Sequence, residues 1–281
     1  MIERQFVQCD VFSETPLRGN GLAVVLDGEG LSDQAMQGFA AWTNLSETTF
    51  LQPPTQPEAD YKVRIFTPTR ELAFAGHPTL GSCAAWLHAG GTPRRGKMVV
   101  QECNIGTVVI DISGPLPGFV APPTQIAPMP AEVQRHILAA LEIGSDRVKG
   151  ATILDNGSVW HLLELDAATA VMAVSAAKVV GLPGMGIGLI AKSLPRAQSQ
   201  FDIRMLSERT SHYEDPITGS LNAAVGMWLM AQRRLTHTTI MAQGSKVGRD
   251  GQVHLVPGPV GSGQVLVAGR THILIDGKVR L

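Results

Sequence analysis

The feature that most constrains the fold is a short motif that occurs twice in the 281-residue sequence. His77-Pro-Thr-Leu-Gly81-Ser82 matches Asp215-Pro-Ile-Thr-Gly219-Ser220, 138 residues further along (77 and 215). A weaker match relates Asn20-Gly21 to Asn156-Gly157, at an offset of 136 (20 and 156). Two matches at nearly one offset, which is close to half of the chain, predict two structurally similar halves. We expect their superposition to place His77 over Asp215.

The remaining pattern indicates mixed sheets packed on helices. Ser32 is a suitable cap for a helix that runs to about Thr43, and Pro78 suits the first turn of a helix that ends at Gly90-Gly91. Ile217 to about Gln232 is apolar all round, which is typical of a helix buried on every side. Strands are predicted at residues 6–12, 22–26, 47–51, 61–66, 98–101, 240–242, 252–256, 264–268 and 272–275. The predicted fold class is α+β (mixed α/β), with each half a mixed sheet wrapped round one central hydrophobic helix.

Composition excludes several classes of partner. Lys and Arg total 23 and Asp and Glu total 24, so the chain has no excess of positive charge. Its composition therefore does not indicate nucleic acid or anionic lipid as the main partner. The 44% hydrophobic content supports a sizeable core. No apolar run approaches the roughly 18 residues of a membrane span. The first residues do not resemble a signal peptide, so we expect a cytoplasmic protein.

The repeated motif also suggests a binding site. The first N–H groups of a helix have no intrahelical partner and carry partial positive charge. If Gly219 and Ser220, like Gly81 and Ser82, leave room for a ligand, two helix starts that face each other across a cleft suit a carboxylate. The structural alternative is that the polar residues only cap helices and the glycines relieve tight packing.

Several ionisable residues are candidates for chemistry. His77 and Asp215 occupy matching positions in the two copies, and of the residues next to Asp215 we expect His212 and Glu214 to be exposed. Glu47 lies between the first helix and a strand, beside apolar residues, where a carboxylate is suited to general acid/base work near neutral pH. By itself, such a residue is more often a solvated Glu at an element boundary.

Signals for cofactors and metals are absent from the sequence. There is no Walker loop and no complete dinucleotide-binding motif, and the histidines are scattered. Nothing therefore implies a bound cofactor, and no metal site is predicted. The three cysteines (Cys9, Cys83 and Cys103) are interpreted as small buried hydrophobic residues.

Longer segments of the sequence resemble the PhzF-like family, named for an isomerase of phenazine biosynthesis. The segments are Asp10–Phe12, Gly19-Asn20, Asn44–Phe50, Glu71–Thr79, Glu214–Ser220 and Gln243-Gly244. The resemblance implies the diaminopimelate-epimerase-like fold, with two halves, a substrate cleft between them, no cofactor and a homodimer. It also implies that a C-terminal strand returns to the first half. We therefore expect an N-terminal half at residues 1–118, joined by a strand at about residues 270–281, and a C-terminal half at residues 119–269.

The resemblance also implies roles for individual residues. Glu47 matches the family's proton-transferring carboxylate, and His77 and Asp215 are expected to hydrogen-bond the substrate and set its protonation state. Gly76, Gly219 and Ser220 are expected to bind the substrate, and the substrate is expected to be a small carboxylate. Where the family often has Ala-His after Gly219-Ser220, this chain has Leu221-Asn222.

Three functions remain open at this level. Related racemases use one cysteine from each half, whereas this chain has no cysteine after Cys103. A single carboxylate can instead move a proton between two carbons on one face, which makes a cofactor-independent isomerase the leading hypothesis. The first alternative is an epimerase or racemase that uses Glu47 and Asp215 as opposed acid and base. The second is a non-catalytic small-molecule binding protein.

Overall fold

The structure is a computed structural model, and it describes residues 1–195, 197–259 and 261–281. The chain divides into two compact units. Unit 1 comprises Met1–Val120 and Ala268–Leu281, and unit 2 comprises Ala121–Val267. None of the described helices has the length and apolar content needed to cross a membrane.

The strands are, in chain order, β1 (Glu3–Val11), β2 (Asn20–Val25), β3 (Glu47–Gln52), β4 (Tyr61–Phe66), β5 (Glu71–Leu72), β6 (Met98–Cys103), β7 (Gly106–Asp111), β8 (Gly118–Val120), β9 (Gln125–Pro128), β10 (Val148–Asp155), β11 (Val159–Leu165), β12 (Gly186–Lys192), β13 (Phe201–Leu206), β14 (Glu214–Asp215), β15 (Thr239–Gln243), β16 (Gly251–Pro257), β17 (Val265–Ala268) and β18 (Thr271–Arg280). The α-helices are α1 (Asp33–Thr43), α2 (Gly76–His88), α3 (Ala131–Leu141), α4 (Ala168–Ala173) and α5 (Gly219–Ala231).

The two units have matching sheet topologies. In unit 1, β1 lies between β18 and β2 and is antiparallel to both, and β2 is parallel to β3. β4 is antiparallel to β3 and β5 but parallel to β6, and β7 is antiparallel to β6 and β8.

In unit 2, β10 lies between β9 and β11 and is antiparallel to both, and β11 is parallel to β12. β13 is antiparallel to β12 and β14 but parallel to β15, which is antiparallel to β16. The prediction of two similar halves with mixed sheets, in the diaminopimelate-epimerase-like fold, is therefore confirmed.

Each unit packs its sheet on one central helix. α2 and α5 each have 13 residues, and most of the residues in the first two turns of each are buried. In α5 the buried positions occur on all sides, as its apolar sequence predicts, and they include Leu221, Val225 and Trp228. α2 begins at Gly76, four residues after β5 ends at Leu72, and α5 begins at Gly219, four residues after β14 ends at Asp215.

This equal spacing corrects the predicted superposition. It makes Gly76 the counterpart of Gly219 and His77 the counterpart of Ser220, whereas Asp215 corresponds to Leu72. The expectation that His77 lies over Asp215 is therefore wrong. The repeated motif misled the comparison because its first copy lies inside α2, while most of its second copy precedes α5.

Gly81 and Ser82 belong to the core and offer no approach for a ligand. A Cβ atom at Gly81 would lie 2.5 Å from Leu22 Cδ2 and 3.0 Å from Cys9 Sγ, so only glycine lets α2 pack this closely on the sheet. The Ser82 hydroxyl donates to Thr49 Oγ1 at 2.9 Å. For Gly81 and Ser82, the structure therefore agrees with the alternative interpretation, in which the glycine relieves tight packing and does not bind a ligand.

The first helix follows its sequence signals. The Ser32 side chain accepts a hydrogen bond from the Ala35 N–H at 3.2 Å and caps α1. Met36 and Phe39 of α1 pack on Phe50 of the sheet. The predicted helix from Ser32 to Thr43 is therefore confirmed.

Candidate functional site

Glu47 and His77 meet at one edge of unit 1. Glu47 is the first residue of β3, where it lies opposite Leu22 of β2, and His77 is the second residue of α2. His77 Nε2 lies 3.4 Å from Glu47 Oε2, and the two side chains are 4% and 16% exposed. The structure thus brings together two of the predicted catalytic residues.

The contact between these two side chains is not an ion pair. Burial lowers the pKa of His77 to about 3, and a backbone hydrogen bond with Gly21 opposes this shift only in part. The imidazole is therefore neutral at pH 7. Asn20 supports the ring from the other side, because its Nδ2 lies 3.3 Å from His77 Nδ1.

The loop before β2 fixes Asn20 in this position. The N–H of Gly19 donates to Asp10 Oδ2 at 2.8 Å, and Asn20 pairs with Val11 across the sheet. A Cβ atom at position 19 would lie 2.4 Å from the Val11 carbonyl oxygen, so this close approach requires glycine. Asp10 and Asn20 are both buried.

Asp215 in unit 2 belongs to a hydrogen-bond network with Thr218 and Gln243. The Thr218 hydroxyl donates to Asp215 Oδ2 at 2.5 Å, and the Thr218 N–H donates to Gln243 Oε1 at 3.0 Å. The Gln243 amide in turn donates to the Asp215 carbonyl at 3.2 Å. All three residues are buried, so the network holds the Asp215 side chain in one orientation.

Asn222 completes this network where the sequence departs from the family pattern. Its Nδ2 donates to Gln243 Oε1 and to the Thr218 carbonyl, both at 2.9 Å. The side chain is fully buried. Thr218 and Gln243 lie in segments that resemble the family, but their roles as partners of Asp215 emerge only from the fold.

Gly219 and Ser220 are the first two residues of α5, and they follow Asp215 by four and five residues. Thr218 is the N-cap residue, and within the described residues its side chain makes no capping hydrogen bond, because its hydroxyl binds Asp215 instead. Asn156 Nδ2 donates to the Ser220 carbonyl at 2.8 Å, and Trp160 orients Asn156 through a hydrogen bond of 3.1 Å.

The weaker sequence repeat therefore has a structural meaning. Asn20 contacts His77 in unit 1, Asn156 contacts Ser220 in unit 2, and His77 and Ser220 occupy equivalent positions in their helices. An asparagine thus meets the second residue of the central helix in each unit.

Glu214 is buried, contrary to expectation, whereas His212 is exposed as expected. Arg204 of β13 donates to both carboxylate oxygens of Glu214, at 3.0 and 2.6 Å. Glu214 can be buried because the paired guanidinium of Arg204 compensates its negative charge. The sequence analysis missed Arg204, which stands inside an apolar strand.

The three cysteines are buried. Burial raises the pKa of the Cys83 thiol to about 12 and raises those of Cys9 and Cys103 as well. These thiols are therefore protonated at neutral pH. Among the described residues, no group of three His, Cys, Asp or Glu side chains has the geometry to hold a metal ion.

The two units have matching strand orders, and each is built round a buried helix whose first turn meets polar side chains, which defines an epimerase-like fold. The family model described as "Phenazine biosynthesis-like protein" matches residues 9–277. The chain belongs to this family.

Individual relatives agree with this assignment. Antisense-enhancing sequence 1 of Schizosaccharomyces pombe is 34% identical, with 99% of both chains covered. The trans-2,3-dihydro-3-hydroxyanthranilate isomerase of Pseudomonas aeruginosa is 30% identical, with 89% of both chains covered. A PhzF-family protein of Bacillus anthracis has a TM-score of 0.82 at 20% identity, with both chains fully covered. The predictions of the family and of an isomerase-class enzyme are confirmed.

Proposed function

We propose that the chain isomerises a small carboxylate-bearing metabolite by a proton shift through Glu47. The carboxylate takes a proton from one carbon, the electron pair moves through the adjacent double bond, and the same proton returns to a second carbon on that face. Glu47 is regenerated without a cofactor. The observation that carries this proposal is the 3.4 Å contact between Glu47 and the buried His77.

The neutral state of His77 supports this role for Glu47. A protonated imidazole would stabilise the charged form of the neighbouring carboxylate and would oppose its protonation during the reaction. The neutral ring imposes no such preference, so Glu47 can gain and return a proton. The Glu47 side chain is only 16% exposed, which limits the exchange of the transferred proton with water.

The second unit supplies the groups proposed to bind the substrate. We assign the substrate carboxylate to the N–H groups of Gly219 and Ser220, because a helix start carries partial positive charge and Thr218 does not cap it. Asp215 is proposed to hydrogen-bond a polar group of the substrate. Gly76 is proposed to contribute backbone from the equivalent helix start of unit 1.

The name of the Pseudomonas aeruginosa relative suggests the size and chemistry of the substrate. That protein isomerises trans-2,3-dihydro-3-hydroxyanthranilate, a cyclic carboxylate. We propose a compound of this class for the present chain, and the named compound serves as the first probe.

The test is turnover of this probe in D₂O by the wild type and by two variants. Glu47→Gln keeps the shape but cannot exchange a proton, so turnover should fall by about 10² to 10⁴. Binding of the probe should change little, because the proposed carboxylate contacts lie elsewhere. Glu29→Gln, at an exposed glutamate of the same unit, is the matched control and should retain full turnover. Near-wild-type turnover by Glu47→Gln would refute the mechanism.

The site of deuterium separates the remaining functions. An isomerase shifts the double bond, and any deuterium appears at the carbon that receives the proton. An epimerase that uses Glu47 and Asp215 incorporates deuterium at a stereocentre whose connectivity is unchanged. A binding protein leaves the bound probe chemically unaltered.

A further inference from the structure

We propose that Asn222 is a positioning residue for Asp215. Its side-chain amide gives one direction to a chain of hydrogen bonds that runs through Gln243 and Thr218, and the last of these bonds is donated to the Asp215 carboxylate. The role of Asp215 toward the substrate rests on the proposed function. The direction of the chain follows from contacts within unit 2 alone.

The orientation of the Asn222 amide is determined by its two partners. Its Nδ2 group donates to the Thr218 carbonyl and to Gln243 Oε1, both at 2.9 Å. A backbone carbonyl is only an acceptor, so the atom of Asn222 that faces it must be the nitrogen. The same nitrogen offers its second N–H to Gln243. The Gln243 atom that accepts it is the oxygen, which also accepts the Thr218 N–H at 3.0 Å.

The fixed Gln243 amide determines the direction of the remaining bonds. Its nitrogen donates to Thr218 Oγ1 at 3.0 Å and to the Asp215 carbonyl at 3.2 Å. A hydroxyl has one proton to donate. Because Thr218 Oγ1 receives a hydrogen bond from Gln243, its own proton is directed to Asp215 Oδ2, at 2.5 Å. A hydrogen bond that is donated to a carboxylate favours its ionised form, so the chain holds Asp215 as an oriented acceptor.

The surroundings of Asn222 indicate that its donor group is the reason for its presence. The side chain is fully buried, and within the described part of the chain its Oδ1 atom accepts no hydrogen bond. A buried acceptor without a partner destabilises a fold, and an apolar residue at this position would avoid that cost. The N–H groups of the amide therefore account for an asparagine here. Histidine, which the family often has at this position, also carries a ring N–H.

Among the described residues of unit 1, the equivalent positions do not form such a chain. Thr79 is the fourth residue of α2, as Asn222 is of α5, and its hydroxyl likewise donates to the carbonyl four residues earlier, at 2.9 Å. The strand pairings and helix starts make the other three counterparts Leu72 for Asp215, Ala75 for Thr218 and Cys103 for Gln243. None of these three has a carboxylate or a hydroxyl. The packing of a central helix on its sheet therefore does not require the chain, which supports a role specific to Asp215.

The test is a double-mutant cycle of Asn222→Ala and Thr218→Val, measured as kcat/KM for trans-2,3-dihydro-3-hydroxyanthranilate. Asn222→Ala removes the donor to Gln243 but leaves Thr218 and Asp215 in place, and kcat/KM should fall by about five- to tenfold. If both changes break one chain, the double variant should lie within about threefold of Thr218→Val. Effects that multiply would overturn the proposal, as would wild-type kcat/KM in Asn222→Ala.

Two further variants separate the donor from a general loss of packing. Thr79→Ala removes the equivalent buried hydrogen bond in unit 1, so it should destabilise the fold but keep kcat/KM near the wild-type value. Asn222→His restores an N–H donor and should return kcat/KM close to that of wild type. A Thr79→Ala enzyme that loses as much activity as Asn222→Ala would contradict the proposal, and so would a folded Asn222→His enzyme that is no better than Asn222→Ala.

Failure of this inference and failure of the proposed function have different signatures. If Glu47→Gln abolishes turnover while Asn222→Ala does not reduce it, the proposed function stands and the inference is refuted. If the wild type does not convert the compound, the proposed function fails for it, and urea denaturation of the same cycle tests the chain directly. The unfolding free energies should then show coupling between Asn222 and Thr218, and additive losses would refute the chain. If Asn222→Ala does not fold, Asn222→Val, which leaves a smaller cavity, replaces it with the same expectations.

Discussion

Arg204 pairs with Glu214 in unit 2 at the position where Arg64 pairs with Glu71 in unit 1. Both pairs are bidentate, with distances of 3.0 and 2.6 Å in unit 2 and 2.8 and 2.7 Å in unit 1. In both units the arginine lies on the strand that is paired with the glutamate's two-residue strand. The pair thus fastens the short strand that leads into each central helix.

The two pairs should differ in their effect on stability. Arg204 and Glu214 are 3% and 1% exposed, whereas Arg64 and Glu71 are 19% and 27% exposed. Glu214→Gln leaves a buried guanidinium without its counter-charge and should lower the free energy of unfolding by about 3–5 kcal/mol. The matched change Glu71→Gln should cost about 1 kcal/mol or less. Urea denaturation of both variants makes the comparison, and equal losses would contradict it.

The low pKa of His77 predicts a pH dependence of stability. The unfolded chain binds a proton near the usual value of 6.5, while the folded chain does so only near 3. The unfolded state therefore holds more protons in this interval, and stability should fall as pH decreases from 6.5, by about 1.4 kcal/mol per pH unit.

His77→Gln should remove this contribution and flatten the dependence of unfolding free energy on pH between about 6 and 4. His136→Gln, at an exposed position on α3, is the control and should keep the wild-type slope. An NMR titration gives a second measurement, because the His77 ring signals should not shift in this range.

The hydroxyl of Thr218 should matter for turnover through Asp215. Thr218→Val keeps the side-chain volume but removes the donor to Asp215 Oδ2, while Thr218→Ser retains it. A hydrogen bond to a carboxylate contributes about 1.5–3 kcal/mol, so kcat/KM for the probe substrate should fall by about 10- to 100-fold in Thr218→Val only. Similar values for the two variants would show that the hydroxyl does not position Asp215.

The thiols should be inert in the folded protein. Cys9 and Cys83 are fully buried and their pKa values are raised, so iodoacetamide should modify them only after unfolding. Replacement of all three cysteines by alanine should retain turnover, with modest losses of stability. Substrate-protected alkylation of the native enzyme would contradict a carboxylate mechanism. The labelled positions can be read by peptide mass spectrometry.

Some secondary-structure elements could be predicted from the sequence because short local patterns determine them. Ser32 marks the start of α1, and the all-apolar sequence of α5 indicates its burial. β18 extends beyond the predicted residues 272–275, because residues 274–278 are all exposed and therefore lack the alternation of a half-buried strand.

Contacts between distant residues were not predictable in the same way. Glu47 and His77 were each proposed, but their contact depends on the register of β2, β3 and α2. Glu214 is buried because it pairs with Arg204, ten residues earlier. No local sequence pattern predicts this pairing. The alignment of His77 with Asp215 failed because sequence similarity compared two motifs that lie at different positions relative to their helices.

The place of β18 in unit 1 affects the order in which the units can be completed during synthesis. Every strand of unit 2 is translated before β18, yet β1, at the other end of the chain, needs β18 as its second neighbour. Unit 1, whose first strands are translated before any of unit 2, therefore receives its last strand after unit 2 has been translated. A nascent chain that stops at residue 270 contains all the strands of unit 2, while its β1 has only β2 beside it.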